Sequence, residues 1–172
     1  DLSQEYSEIP EEMKAAAKVL GVELLHETTL DQLLAHVNEI TDDRAVLRAI
    51  HFFEETARVE RAADAIGEEN YTEFLKLMDE SGRSSWELLQ NCYSLQNCHE
   101  QKISLMLALT QLFLNKIGGG ICRVHGGGFA GVIATIVPET EMENYVAYIS
   151  QYVGKENVYP MDIRAVGAAH ID

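Results

Sequence analysis

The chain has 172 residues, long enough to bury the core of one domain. Its 13 lysine and arginine residues are outnumbered by 28 aspartate and glutamate residues, and the formal net charge is −15. This charge argues against a nucleic-acid or anionic membrane partner, because phosphate-rich surfaces are bound through basic patches. No apolar run approaches the length of a membrane span and the N-terminus lacks a signal-peptide pattern, so we expect a cytoplasmic protein.

Helical patterns begin near the N-terminus. Pro10 suits the first turn of a helix that Gly21 ends, and Thr29 is a candidate N-cap for a second, shorter helix. From Asp42 to Ile66 apolar residues recur at helical spacing. This periodicity predicts one long helix, ended by Gly67.

The helical pattern continues in the middle of the chain. Tyr71 to Met78 is predicted as a short helix closed by Gly82. Helical spacing returns at Trp86 to Leu89 and again at Gln101 to Ile117, where the interior is almost continuously apolar. We therefore expect a largely helical first two thirds.

The last third changes to a strand pattern. Runs rich in β-branched residues and bounded by glycine or proline favour buried strands. The predicted elements are strands at Ile121–Val124, Val132–Val137, Asn157–Tyr159 and Ile163–Val166, with a helix at Glu141–Val153. The order of these elements predicts an α+β fold with a split β-α-β arrangement that resembles a ferredoxin-like half, the earlier helices packing on it. We expect a single domain over residues 1–172.

Four glycines lie between the first two predicted strands, at positions 126, 127, 128 and 131. One interpretation is a tight turn between strands, for which glycine supplies positive φ. The other is a cradle of bare amides that faces an anion such as phosphate, with Arg123 and His125 beside it. The spacing matches neither a P-loop nor a dinucleotide-binding fingerprint, so it leaves both interpretations open.

The remaining polar residues do not predict a complete catalytic centre. His51, Glu55 and Arg58 share one helix face, which favours side-chain pairing on a partly exposed helix over a catalytic role. The histidines lack metal-binding spacing, so we expect no metal site. Three serines, at positions 81, 84 and 85, are typical of capping or turns.

The cysteine pattern indicates free thiols. Cys92, Cys98 and Cys122 are odd in number and widely spaced, which predicts neither a disulfide framework nor a zinc site. Arg123 could lower the pKa of the Cys122 thiol, although a buried strand cysteine is the commoner case.

Four phrases in order carry a resemblance to a known family. They are Asp1-Leu-Ser-Gln-Glu-Tyr6 with Pro10-Glu-Glu-Met13, His51-Phe-Phe-Glu-Glu-Thr-Ala-Arg58, Leu77-Met-Asp-Glu-Ser-Gly-Arg-Ser84, and Arg123-Val-His-Gly-Gly-Gly-Phe-Ala-Gly131. The last phrase resembles the third conserved motif of the GHMP kinases, and most closely that of the galactokinases. The chain is thereby identified as similar to the C-terminal domain of that family, a ferredoxin-like domain with additional helices.

The resemblance implies an activity, cofactor and partners for a longer protein. Galactokinases transfer the γ-phosphoryl group of Mg-ATP to the 1-hydroxyl of galactose. The family's sugar-binding motif, phosphate loop and catalytic aspartate have no counterpart in this sequence. We therefore expect a fragment that contains no catalytic residue, binds no Mg-ATP by itself and needs its N-terminal catalytic domain as partner.

The same resemblance implies two kinds of site residue. The glycine-rich loop, formed by Gly126, Gly127, Gly128, Phe129, Ala130 and Gly131, would support the phosphate-binding loop of the N-terminal domain. Tyr6 occupies the place of a tyrosine that contacts the sugar in relatives.

Departures from the family pattern keep alternatives open. Gly82 stands where many relatives have histidine, and residues 95–102 replace a more usual phrase. The alternatives are a GHMP kinase acting on N-acetylgalactosamine, another sugar or mevalonate, and a non-catalytic binding module with the same fold.

Overall fold

The computed structural model describes residues 2–163 and Val166. The chain divides into two compact units, Asp1–Ile136 and Val137–Asp172. The prediction of a single domain over residues 1–172 stays a prediction.

Five α-helices and a β-hairpin make up the described part of the first unit. They are α1 (Ser3–Val19), α2 (Leu30–Ala35), α3 (Asp43–Gly67), α4 (Tyr71–Ser84), α5 (Lys102–Ile117), β1 (Ile121–His125) and β2 (Val132–Ile136). A π-helical turn, Ser85–Leu89, continues α4, and short 3₁₀ turns lie at Leu25–Glu27 and Val37–Glu39. The predicted helices are thus confirmed in kind, although several of their ends differ.

The core of this unit forms where α1, α2 and α3 meet. Its buried members are Ala16, Ala17, Leu25, Leu33, Ile40, Ala45, Val46 and Ala49. The small alanine side chains on α1 and α3 let the two helices approach closely, and their burial removes apolar surface from water. Further buried side chains on α5 and β1, including Leu107, Leu114, Ile121 and Val124, extend the interior from the helices to the sheet.

An ion-pair cluster reinforces the α1–α3 contact. Arg48 is 1% exposed and donates from Nη1 to Glu12 at 2.8 Å, while its Nε donates to the Leu89 carbonyl at 3.2 Å. Arg44 donates to the same Glu12 carboxylate and to Glu8. A buried arginine is tolerated because its charge is paired and its N–H groups have acceptors.

The start of α1 corrects the sequence prediction. The helix begins at Ser3, and Pro10 lies inside it. Proline has no amide hydrogen, so the Tyr6 carbonyl lacks its usual helical donor. The helix ends as predicted near Gly21, which adopts a φ of 77°. Thr29 caps α2 as predicted, accepting from the Gln32 amide at 3.2 Å.

Gly82 does not end α4 as predicted, because the helix runs through it to Ser84. A Cβ atom at Gly82 would lie 2.8 Å from the Cβ of Arg123 on β1. The glycine therefore allows α4 to press directly against the strand. Beyond the helix the π-helical turn ends at Gln90, which has a φ of 58°.

The two strands form an antiparallel hairpin. Ile121 pairs with Ile136 and His125 pairs with Val132, which leaves six residues in the connecting loop. Strand β1 is largely buried, but Val132 and Ile136 at the ends of β2 are exposed. The prediction of a buried second strand is therefore wrong.

The second unit contains α6 (Met142–Val153) between 3₁₀ turns at Glu139–Glu141 and Lys155–Asn157. The predicted helix is confirmed. The predicted strand at Asn157–Tyr159 is wrong, since the turn reaches Asn157 and the backbone after it pairs with no described strand. The prediction for Ile163–Val166 falls partly on residues 164 and 165, which lie outside the described residues.

A helix that crosses a bilayer must be both long and predominantly apolar. In the part of the chain that the structure describes, no helix combines the length and the apolar character needed to cross a bilayer.

Candidate functional site

The glycine-rich loop, residues 126–131, connects β1 to β2 in a conformation that needs positive φ angles. Gly126 and Gly128 adopt φ of 75° and 84°, and Phe129 adopts 53°. Side chains with a Cβ rarely adopt this region, so Phe129 carries backbone strain that its surroundings must hold in place. The loop is therefore more than a relaxed strand connection.

Tyr6, on the first turns of α1, holds the loop from one side. Its hydroxyl donates to the Gly128 carbonyl at 2.9 Å. Its ring also meets the Phe129 ring edge-to-face, with centroids 5.1 Å apart. A Cβ at Gly127 would lie 2.7 Å from Tyr6 Cε1, so this position requires glycine for close approach and not for its φ angle.

Asn91, just after the π-helical turn, holds the loop from another side. Its carbonyl accepts from the Phe129 amide at 2.5 Å, and its side-chain Nδ2 donates to the Gly127 carbonyl at 3.2 Å. A Cβ at Gly128 would lie 2.2 Å from the Asn91 carbonyl oxygen. Asn91 is not among the site residues that the sequence predicts, because no motif marks a residue whose contacts are with a loop distant in the chain.

Several backbone donors of the loop remain open. The amides of Gly126, Gly127 and Ala130 donate to no acceptor within the described residues, and all three residues are exposed. Outward-facing amides in a chain of positive and negative φ angles suit an anion. Gly126, Gly127 and Ala130 thus keep amide donors with no acceptor among the described residues, while the Gly128 carbonyl and the Phe129 amide are occupied in internal contacts.

The cradle interpretation places Arg123 and His125 beside a bound anion, but Arg123 is hydrogen-bonded to other groups of the chain. Arg123 donates from Nη1 to Ser81 Oγ at 2.7 Å and from Nε to the Val124 carbonyl at 3.0 Å. Its guanidinium is therefore committed to α4 and does not face an anion at the loop. His125 is exposed at the end of β1.

A second polar cluster links α3, α4 and β1, and we call it the interhelix network. Glu55 accepts hydrogen bonds from Ser81 and Arg58, while Ser81 accepts from Arg123. His51 Nδ1 lies 2.8 Å from Ser84 Oγ. The predicted i, i+4 pairing on a partly exposed face is wrong, because Glu55 pairs with Arg58 at i, i+3 and both His51 and Arg58 are buried.

The interhelix network is built for support and not for reaction. Burial lowers the pKa of His51, opposed by Glu55 and assisted by Arg58 and Arg123. Ser81 and Ser84 lie buried within α4 and bond to Glu55 and His51, so their predicted capping or turn roles are wrong, whereas Ser85 is the C-cap of α4. Ser84 would be an inaccessible nucleophile, and the Glu55 carboxylate is bonded to Ser81 and Arg58 and so does not orient His51.

The cysteines are free, as predicted. Cys92 and Cys122 are buried, and burial raises the pKa of each thiol to about 11. The Cys122 thiol is thus a strand residue of the interior and not an activated nucleophile. Among the described residues, no group of three His, Cys, Asp or Glu side chains is placed to hold a metal ion.

Comparison with known proteins identifies the relatives. No family model matches the chain. A galactokinase of Mannheimia succiniciproducens is 30% identical over 141 residues, which cover 81% of this chain and 34% of that protein. A galactokinase of Haemophilus influenzae is 29% identical, covering 81% of this chain and 35% of its own length. The chain is similar to these galactokinases over most of its own length.

A solved structure agrees at the level of the fold. The structure of Lactococcus lactis galactokinase complexed with galactose matches with a TM-score of 0.70 and 23% identity. The match covers 92% of this chain and 39% of that protein. It supports an α+β fold. The chain spans about a third of the length of the galactokinases that it matches.

Proposed function

We propose that the chain is the C-terminal domain of a galactokinase, which transfers phosphate from Mg-ATP to the 1-hydroxyl of galactose. In this proposal the remainder of the protein supplies the catalytic residues, and the glycine-rich loop of this chain supports the phosphate site. The ferredoxin-like arrangement, the single domain over residues 1–172 and the cytoplasmic location belong to the same proposal. The observation that carries it is the galactokinase match over 81% of the chain.

The donors of the loop fit a phosphate-bearing cofactor. The open amides of Gly126, Gly127 and Ala130 are hydrogen-bond donors, and these residues carry no side chain larger than a methyl group that would block close approach. Mg-ATP supplies the γ-phosphoryl group, and its transfer depends mainly on positioning and on donors aimed at the developing charge. The loop would contribute such donors, while the metal would be held outside the described residues.

The geometry of Tyr6 also limits how it would touch a sugar. Its hydroxyl hydrogen is committed to the Gly128 carbonyl, so its oxygen retains only acceptor capacity. The side chain is 42% exposed and can be reached from solvent. Tyr6 would therefore accept a hydrogen bond from a galactose hydroxyl and link the sugar to the loop.

The test is galactose-dependent release of ADP from Mg-ATP, measured for the complete protein that contains this chain. We expect turnover with galactose and none with this chain alone. Galactose-1-phosphate should form in step with ADP. Turnover with another sugar or with mevalonate, and none with galactose, would assign a different GHMP kinase activity. No ADP release with any of these acceptors would favour a non-catalytic binding module.

The Tyr6 contact is tested by Tyr6→Phe in the complete protein, because phenylalanine keeps the ring and loses both hydrogen-bond functions. We expect the KM for galactose to rise about tenfold, as for one lost polar contact, with a smaller change in the KM for ATP. Tyr71→Phe is the matched control, since Tyr71 is an exposed residue at the start of α4. Equal effects on both KM values would remove Tyr6 from the sugar site.

A further inference from the structure

Asn91 touches three consecutive residues of the glycine-rich loop, namely Gly127, Gly128 and Phe129. We propose that Asn91 is a positioning residue for phosphoryl transfer, which fixes the loop in the conformation that presents its open amides. This inference rests on the proposed function and adds to it a residue that contacts neither nucleotide nor sugar.

One peptide group of the loop is held by a hydrogen bond on its carbonyl and by another on its amide. The peptide between Gly128 and Phe129 has its carbonyl bound by the Tyr6 hydroxyl and its amide bound by the Asn91 carbonyl. Opposed hydrogen bonds on one trans peptide fix its rotation about the chain axis. The neighbouring amides at Gly127 and Ala130 are oriented as a consequence.

The Asn91 side chain adds a bond to the next peptide group. Its Nδ2 donates to the Gly127 carbonyl, which holds the peptide between Gly127 and Gly128. Two adjacent peptide groups of the loop are therefore tied to one residue. This side-chain bond can be removed by substitution, while the backbone bond to Phe129 stays in place.

The local backbone is strained in a way that serves this contact. Gln90 precedes Asn91 with a φ of 58°, and Phe129 on the other side of the contact has a φ of 53°. Both the Gln90 and Asn91 amides donate to the Ser85 carbonyl, at 2.9 Å and 3.4 Å, which anchors this corner to the π-helical turn. Non-glycine residues with positive φ persist only where their surroundings determine them.

The unused atom of the Asn91 side chain supports the same conclusion. Asn91 is 3% exposed, and its Oδ1 is buried without a hydrogen-bond partner among the described residues. Rotating the amide would place that oxygen against the Gly127 carbonyl, where two acceptors would face each other. The amide is therefore oriented with its Nδ2 donor toward the Gly127 carbonyl.

The experiment compares Asn91→Ala and Asn91→Asp in the complete protein with Asn97→Ala and Asn97→Asp. Asn97 is exposed, and its side chain makes no hydrogen bond within the described residues. We expect each Asn91 variant to lower kcat about tenfold, the value of one hydrogen bond, with the KM for galactose changed less than about twofold. The Asn97 variants should match the unmodified protein.

A pH profile separates positioning from general damage. An ionised aspartate would repel the Gly127 carbonyl, but a protonated one can donate to it. The kcat of Asn91→Asp relative to the unmodified protein should therefore recover as the pH falls, whereas that of Asn91→Ala should not. Equal kcat in variants and unmodified protein, or a loss of kcat that only follows the unfolded fraction, would overturn the proposal.

Hydrogen exchange of residues 126–131 tests the contact without activity. We expect faster deuterium uptake by the loop in Asn91→Ala and Asn91→Asp than in the Asn97 variants. Unchanged uptake overturns the positioning role whether or not the protein is a kinase. Faster uptake in the Asn91 variants, together with no galactose-dependent turnover by the unmodified protein, would contradict the proposed function and leave the Asn91 contact supported.

Discussion

The glycine-rich loop follows β1 and the interhelix network includes Arg123 of the same strand, yet their polar groups are arranged in opposite ways. The network buries charged side chains and pairs them, as in the links from Arg123 through Ser81 to Glu55. The loop is exposed and leaves the amides of Gly126, Gly127 and Ala130 open. Burial without partners is costly, so the paired cluster fits a supporting role and the open one a binding role.

Two glycines, one in the helix that carries Ser81 and one in the loop, exclude a side chain for different reasons. Gly82 and Gly128 both lack a side chain where a neighbour comes close, but Gly82 lies in a regular helix and Gly128 has a φ of 84°. A substitution at Gly82 tests packing alone, while one at Gly128 tests packing and backbone strain together. The two positions therefore predict effects of different size.

The largest expected effect is that of Gly128→Ala. The added Cβ would lie 2.2 Å from the Asn91 carbonyl oxygen and would be held at positive φ. Strain and overpacking together should lower the free energy of unfolding by about 3 kcal/mol. The measurement is denaturant unfolding of the variant and of Gly126→Ala as control.

The control isolates one of the two causes. Gly126 has a φ of 75°, but nothing lies within 4 Å of a Cβ built there. Gly126→Ala should cost only about 1 kcal/mol from backbone strain. Equal losses in the two variants would mean that the Asn91 contact does not constrain the loop.

An intermediate effect is expected for Gly82→Ala. The new methyl group would lie 2.8 Å from Arg123 Cβ, so α4 and β1 must separate. We expect a loss of about 1–3 kcal/mol in the free energy of unfolding, typical of overpacking. Gly67→Ala, where nothing lies within 4 Å, is the helical control and should be neutral or stabilising. A stabilising Gly82→Ala would contradict the close contact.

Gly82 also shows what the sequence could and could not predict. Periodicity and caps placed the long helix α3 and the N-cap Thr29 correctly, because those signals are local. Local signals predict a helix end at Gly82, because Arg123, the residue that Gly82 packs against, is distant in the chain. The loop and Tyr6 were selected through the family resemblance, but the bond between them, 122 residues apart, had no local signal.

Asn91 shows the same limit of prediction from sequence, because a residue on the other side of the loop contact also lacks a local signal. Its neighbours Gln90 and Cys92 carry no turn or motif signature, and its role depends on the π-helical turn that directs it at the loop. Long-range contacts of this kind follow from tertiary packing, which propensity and spacing do not encode.

The smallest expected effect concerns pH and the interhelix network. The pKa of His51 is lowered in the folded protein, so the unfolded state binds a proton more readily. The stability that depends on neutral His51 should be complete above about pH 6.5 and decrease as the pH falls below that value. The slope should stay below the ~1.4 kcal/mol per pH unit that one full proton would give.

The measurement is the midpoint of unfolding of the protein between pH 7.5 and pH 5, compared with His51→Gln. Glutamine cannot titrate, so the variant should be less stable at high pH and should lose less stability on acidification. His26→Gln replaces an exposed histidine and should leave the slope unchanged. Parallel pH profiles for His51→Gln and the unmodified protein would mean that His51 does not stay neutral in the fold. The network would then accept a further positive charge at His51 without loss of stability, and its contrast with the open loop would no longer hold.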